Sequence, residues 1–151
     1  MTQIPLNTSV VSGVLLKACK DGFRMLLLKR AKEGFWCHVA GKIEGNEKAW
    51  QAFIREVKEE TSIVVDDLYS ADYLEQFYEA DKNQISIIPV FVALVASDIE
   101  VVLNEEHTQY QWCTLDEAKS LVPFPNQRAV FDHVWKNFVD AKPSPFMKIS
   151  R

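Results

Sequence analysis

Apolar positions along the chain fall into runs of two kinds. Residues 8–18 (TSVVSGVLLKA) and 24–29 (RMLLLK) are rich in β-branched and aliphatic side chains and read as strands. Between them Lys20-Asp21-Gly22 carries the Asp-Gly signal of a hairpin turn. Residues 30–34 are polar and loop-like, and residues 35–40 (FWCHVA) form a short strand delivering the chain to Gly41. A loop over 42–45 ends at Asn46, the expected N-cap of a helix reaching Thr61, with Glu47 in its first turn. On that helix Trp50, Ile54 and Val57 make an apolar stripe suited to burial. Residues 63–65 read as a short strand, and the aromatics Tyr69, Tyr73, Phe77 and Tyr78 place residues 68–79 in a sheet. After a turn at Asp81-Lys82-Asn83 comes the most apolar run, residues 85–96 (ISIIPVFVALVA), which reads as a central strand with Pro89 marking an irregularity. Residues 110–113 form a further strand. Thr114 and Glu117 make a T-x-x-E capping box at the start of a helix. Pro123 and Pro125 break the chain before an amphipathic helix over 126–139, with Val130, Phe131, Val134, Trp135 and Phe138 on its apolar face. The segment from Asp140 onward is expected to be a loosely ordered tail. Strands alternating with helices imply a layered α/β domain over residues 1–151.

Composition narrows the function classes. A chain of 151 residues with 48% hydrophobic and 25% charged residues is an ordinary globular domain. A net charge of −4 argues against nonspecific nucleic-acid or anionic-membrane binding, which calls for a basic surface. Cys19, Cys37 and Cys113 are odd in number and widely spaced, so free thiols in a reducing compartment are expected. No basic leader and no run approaching a membrane span is present, and a cytoplasmic location is expected.

The helix after Gly41 contains an electrostatic oddity. At about 100° per residue, Glu56, Glu59 and Glu60 share one sector. Like charges at these spacings repel by a few tenths of a kcal/mol per pair, and the C-terminal end of the helix dipole disfavours anions. A solvated acidic face is the ordinary reading of such a run. A hard divalent cation with oxygen ligands is the functional one.

The spacing over residues 41–63 (GKIEGNEKAWQAFIREVKEETSI) decides between them. Gly41, Glu47, Arg55, Glu56, Glu59 and Glu60, with aliphatic Val57 and Ile63, resemble the box of the Nudix (MutT-like) hydrolase family, G-x5-E-x7-R-E-U-x-E-E-x-G-U. Ser62 departs, standing where the family has its second glycine. A left-handed residue there would cost about 1–2 kcal/mol, so a slightly different turn is expected.

The resemblance implies an α/β/α sandwich with a mixed central sheet and Mg2+-dependent hydrolysis of a phosphoanhydride, with Mn2+ as the alternative ion. It implies Glu56 and Glu60 as principal metal ligands and Glu59 as a third acid acting directly or through water. The Gly41 carbonyl (or that of Ala40) would be a further ligand. Arg55 would orient the acids, with Glu47 as its structural partner. An acid outside the box, Glu106 in Glu105-Glu106-His107, would be an extra ligand or general base, against the plain reading of a solvated turn; His107 reads as a loop histidine. His38 either faces the site or is buried and hydrogen-bonded.

Phe35-Trp36 and Asn126-Gln127-Arg128-Ala129 resemble segments of the dihydroneopterin triphosphate diphosphatase branch, formerly called dATP pyrophosphohydrolases. On that reading Phe35 or Trp36 packs on a base or pterin ring, while Lys42, Lys29 or Arg30 meets phosphates. The expected reaction gives a monophosphate and pyrophosphate from a nucleoside or pterin triphosphate. The alternatives are a housekeeping hydrolase of linked nucleoside diphosphates or non-standard nucleotides, and a nucleotide-binding sensor without turnover. The expected partner is a small nucleotide or pterin triphosphate, with neither nucleic acid nor membrane, bound to a monomer or homodimer.

Overall fold

A computed structural model describes residues 2–150. Strands β2 (Val10–Cys19) and β7 (Gln84–Val95) run parallel at the middle of an eight-stranded mixed sheet, paired from Ser12↔Val90 to Lys17↔Val95. Both of their faces are covered, which is why the sequence there is a near-continuous apolar run. On the far side of β7 lies β6 (Asp67–Glu79), antiparallel, and β1 (Leu6–Asn7) continues the β2 edge along β7. β2 splits its other edge between two strands: β3 (Gly22–Arg30) pairs with its end and β5 (Val39–Lys42) with its beginning. β3 in turn carries β4 (Trp36–Cys37) and β8 (His107–Cys113).

Alternation along the central strands sends side chains to two cores. Val11, Leu15, Leu26, Leu28, Phe91 and Ala93 pack under helix α1 (Ala49–Thr61). Val14, Leu16, Met25, Leu27, Val90 and Val92 pack under α2 (Leu115–Leu121) and α3 (Pro125–Phe138). One helix on one face and two on the other make the α/β/α sandwich. Phe53 of α1 and Phe131 of α3 are fully buried anchors of the two cores, each stabilising the fold by about 2–3 kcal/mol. A Cβ on Gly13 would overlap the Phe53 ring, so this glycine in mid-strand lets α1 lie close to the sheet.

Several local expectations are corrected. α1 begins two residues after Asn46, at an N-cap on Lys48, because Glu47 is used elsewhere: its side chain turns back to accept from the Glu44 amide (2.9 Å) and from Arg55. Its buried face is Ala52, Phe53 and Val57 with Glu60 and Thr61, while Trp50 and Ile54 flank it. Residues 63–65 belong to none of the strands and connect α1 to β6. Ser62 does adopt the left-handed conformation (φ 65°), with its amide donating to the Lys58 carbonyl and its hydroxyl to the Val102 carbonyl (3.1 Å). The turn is therefore the one glycine would make, and the extra hydrogen bond offsets part of its cost. The irregularity adjoins Pro89 and lies on its partner strand: between the pairs Ser70↔Phe91 and Leu74↔Pro89, β6 has three residues against Val90 alone, with Asp72 at φ 54°. The segment after Asp140 is attached to β6, the Ile149 amide donating to the Leu68 carbonyl (2.9 Å) and Lys148 bridging to Tyr69.

The capping box of α2 forms as the spacing predicts, with Glu117 N donating to Thr114 Oγ1 and Thr114 N to Glu117 Oε1. Cys37 and Cys113 are buried free thiols whose pKa burial pushes up to about 12, so both are unreactive. No helix among the described residues is long and apolar enough to cross a membrane.

Candidate active site

Arg55 is the hub of the loop–helix unit. Its guanidinium donates to both carboxylate oxygens of Glu47 (2.7 and 3.0 Å), to Glu56 (3.0 Å), to Glu59 (3.2 Å) and to the Lys42 carbonyl (2.8 Å). Five donors in a rigid fork suit this task, and a lysine could not span the same partners. The fork holds Glu47 well below the ordinary carboxylate range and ties the loop before α1 to the helix. Glu56 leans against the turn out of β5, where any Cβ at Gly41 would overlap its carboxylate. Gly41 is therefore required by close approach, with no need for an unusual φ.

Glu60, one turn on, is different. It is 2% exposed and Oε2 has no hydrogen-bond partner. Burial, then the charges of Glu56 and Glu106, push its pKa up to about 9. Glu56 is also raised, by burial first, with the hydrogen bond and charge of Arg55 opposing. Arg55 thus pairs with Glu47, Glu56 and Glu59, while at Glu60 the charge of Arg30 opposes the rise without outweighing it.

Chain return places two more groups against Glu60. A register shift where β3 pairs with β8 sets Arg30 opposite His107, and the Ala31 amide donates to the Glu106 carbonyl (2.9 Å). Ligand atoms of Glu60, Glu106 and His107 lie within 4.8 Å of one another. His107 is buried, 3.7 Å from Glu60 Oε1, and burial lowers its pKa, which favours a neutral ring. His107, which reads as a loop histidine in the sequence, is the first residue of β8. Its one signal was adjacency to an acid at a strand start, too common to single it out.

A buried carboxylate with a free oxygen, facing a second acid and a neutral imidazole, is a donor set that fits a divalent cation. Glu56 and Glu60 are the residues that would hold it, with Gly41 alongside and Glu106 as either a further ligand or a base. Glu59 is half exposed and paired to Arg55, so its part would be played through water.

A cavity of about 570 Å³ opens on the α3 side of the sheet, with Ala40, the residue before Gly41, in its lining. Phe35 and Phe124 form one wall in an edge-to-face contact (centroids 5.3 Å apart), and Arg30 stands at its margin, paired with Glu33. Its inner wall is polar. Glu75 Oε1 accepts from the Ser12 hydroxyl (3.2 Å) and contacts His38 Nε2 (3.1 Å), and all three residues are buried. His38 is thus both buried and beside the site. Burial raises the Glu75 carboxyl, but His38 and the hydrogen bonds outweigh it and leave the group below its ordinary value. Of the expected substrate contacts, Phe35 and Arg30 line the cavity. Trp36 and Lys42 do not: Trp36 packs into the core under α2 and α3, because alternation along β4 turns it from Phe35, and Lys42 stands exposed at the end of β5. Glu75 was missed because a single acid among strand aromatics reads as a solvated position.

An acid-bearing helix is thus docked under a mixed sheet, with an arginine-organised loop at its start and a partly open cavity lined in part by Ala40. The sequence profile of the NUDIX domain matches residues 7–134, and the chain belongs to the Nudix family. It is 34% identical over 128 residues to an octanoyltransferase of Myxococcus xanthus, a match covering 82% of this chain and 35% of that protein. It is 31% identical over 91 residues to the asymmetrical bis(5'-nucleosyl)-tetraphosphatase of Caenorhabditis elegans, covering 59% of this chain and 65% of the relative. The chain thus spans less than two-thirds of the length of either relative. Among solved structures it resembles the E. coli dihydroneopterin triphosphate pyrophosphohydrolase, with a TM-score of 0.70 and 26% identity over 86% of this chain and 94% of that one.

Proposed function

We propose that the protein hydrolyses a nucleoside or pterin triphosphate to the monophosphate and pyrophosphate, with Mg2+ as the natural ion and Mn2+ as a substitute. The observation that carries this reading is the cavity lining: Arg30 borders the cavity and its charge also acts on Glu60, and Ala40 in the wall precedes the glycine that abuts Glu56. A ring held between Phe35 and the polar wall would extend its phosphates past Arg30 toward the acids. The likeness to the E. coli pyrophosphohydrolase supports the same substrate class.

When bound, the divalent ion supplies charge neutralisation on the phosphates and a more acidic water. Glu56 and Glu60 hold their carboxylates in fixed positions for it, and Arg55 keeps Glu56 and Glu59 from swinging away. Glu106, exposed and within reach of Glu60, takes the proton of the attacking water, with Glu59 as the alternative acceptor. His107, buried 3.7 Å from Glu60 Oε1, helps to position that carboxylate.

A second reading is favoured by the tetraphosphatase relatives, which are 31% and 32% identical over 68% and 69% of this chain in Rattus norvegicus and Sus scrofa. In that case the group beyond the phosphates is a second nucleoside. A panel of nucleoside triphosphates, dihydroneopterin triphosphate and diadenosine tetraphosphate with Mg2+ separates them by product. Pyrophosphate plus a monophosphate supports the first reading; a nucleoside triphosphate plus a monophosphate, from the dinucleotide alone, supports the second. No turnover of any compound would favour a binding protein.

A further inference from the structure

Four polar groups around the cavity have no role in the reaction described above. Glu75 is 5% exposed and commits one oxygen, Oε1, to Ser12 and His38, while Oε2 has no hydrogen-bond partner among the described residues. His38 Nδ1, Asn126 Nδ2 and Gln127 Oε1 are buried without partners, and all three residues line the same cavity. Buried polar atoms left unpaired each cost on the order of 1–3 kcal/mol, so a cluster of them around one space indicates groups that a ligand satisfies. The aromatic lining fits a flat ring. Phe35 and Phe124 stand on one side, with Phe77 and Tyr78 further along β6.

What the wall can read follows from its chemistry. An ionised carboxylate only accepts hydrogen bonds, and the Ser12 hydroxyl with the His38 ring fixes its orientation. It therefore pairs with a ring edge that presents adjacent N–H donors and repels one that presents a ring-nitrogen acceptor. Guanine and the pterins share such an edge, the ring N–H beside the 2-amino group. Hypoxanthine keeps the ring N–H and lacks the amino group. Adenine offers an amino group next to an acceptor nitrogen. We infer that Glu75, positioned by Ser12 and His38, is a specificity-determining residue that selects substrates carrying the edge shared by guanine and the pterins, a ring N–H beside a 2-amino group, over adenine. This rests on the ring lying in the cavity, as in the proposed function, and it names which rings that site takes.

The test is equilibrium binding to the full chain in EDTA, so that no turnover occurs, with GTP, ITP, ATP and dihydroneopterin triphosphate as probes. Wild type is expected to bind GTP at least tenfold more tightly than ATP, with ITP between them. The comparison of GTP with the pterin compound then identifies which source of the shared edge the cavity prefers. Glu75→Gln turns one acceptor into a donor, so GTP binding is expected to weaken at least tenfold while ATP binding holds or improves. A merely structural role would weaken all four probes alike. Ser12→Ala, which keeps the carboxylate and removes one orienting donor, is expected to fall between, and serves if the Gln variant does not fold. Equal affinity for GTP and ATP in wild type, no binding of GTP below millimolar concentration, or a uniform loss in Glu75→Gln would each overturn the inference. A preference for GTP in a protein that hydrolyses none of these compounds would overturn the reaction and sustain the ring assignment.

Discussion

Two buried glutamates, Glu60 on α1 and Glu75 on β6, are held in opposite ways. Glu60 is crowded by Glu56 and Glu106, keeps one oxygen unpaired and is pushed up to about 9. Glu75 receives Ser12 and His38 on one oxygen and stays below its ordinary value despite similar burial. The difference is one of unmet demand. Around Glu60 the charge of Arg30 does not outweigh burial and the two neighbouring acids, so a cation from outside would stabilise its ionised form, whereas Glu75 is already a stable anion and suits a neutral donor. Burial by itself therefore does not identify a metal ligand; the sign of the neighbouring charge does.

The contrast can be broken most forcefully at Glu60. Glu60→Gln should lower kcat by roughly 10^3-fold or more with the fold intact, as judged by circular dichroism, because the remaining oxygen is a poor ligand for a hard cation. Near-normal turnover would remove Glu60 from the metal site. At Glu75 the largest effect should be on stability. Glu75→Leu leaves His38 and Ser12 buried without their acceptor and should cost about 3 kcal/mol, read as a lower urea midpoint. A change under about 0.5 kcal/mol would mean that the network is not a stabilising unit.

The pH dependence separates the two groups by sign. Glu60, raised above its unfolded value, binds a proton in the metal-free folded state that the unfolded chain has released. Its effect is to lower stability as pH rises from the ordinary carboxylate range toward about 9. In EDTA near pH 8, Glu60→Gln should therefore be more stable than wild type by about 1–3 kcal/mol, and the gain should vanish at acid pH. Glu75, depressed below its unfolded value, contributes stability that is present above the ordinary carboxylate range and lost as pH falls through its folded value. Glu75→Gln should accordingly flatten the acid limb of the urea-midpoint profile. Identical profiles in the two variants would contradict the contrast. The smallest effect is expected at the end of α1, where Ser62→Gly relieves the left-handed strain and gives up the bond to Val102, for a net gain of about 0.5 kcal/mol in thermal unfolding.

How much of this was legible in the sequence follows the same division. The acids at positions 56, 59 and 60 were readable because they lie on one helix, where spacing becomes geometry directly. So were the apolar runs of β2, β3 and β7 and the capping box at Thr114, which depend on local pattern. Glu106 was reachable only through the family likeness, and His107 not at all, since its approach to Glu60 depends on the register shift between β3 and β8. The Ser12–His38–Glu75 network was invisible for a related reason. It joins three strands or strand ends far apart in the chain, and no short-range rule registers such a meeting. Trp36 illustrates the converse error: its neighbourhood to Phe35 suggested a shared role, and strand alternation separates adjacent residues.

The central claim is that Glu60 is incompletely compensated because it awaits a divalent cation, and a calorimetric titration of Mn2+ into the metal-free protein tests it most directly. The account predicts saturable binding in wild type, with proton release as the Glu60 carboxyl ionises, and affinity at least tenfold weaker with no such release in Glu60→Gln. Equal affinity and equal proton release in the two proteins would contradict it.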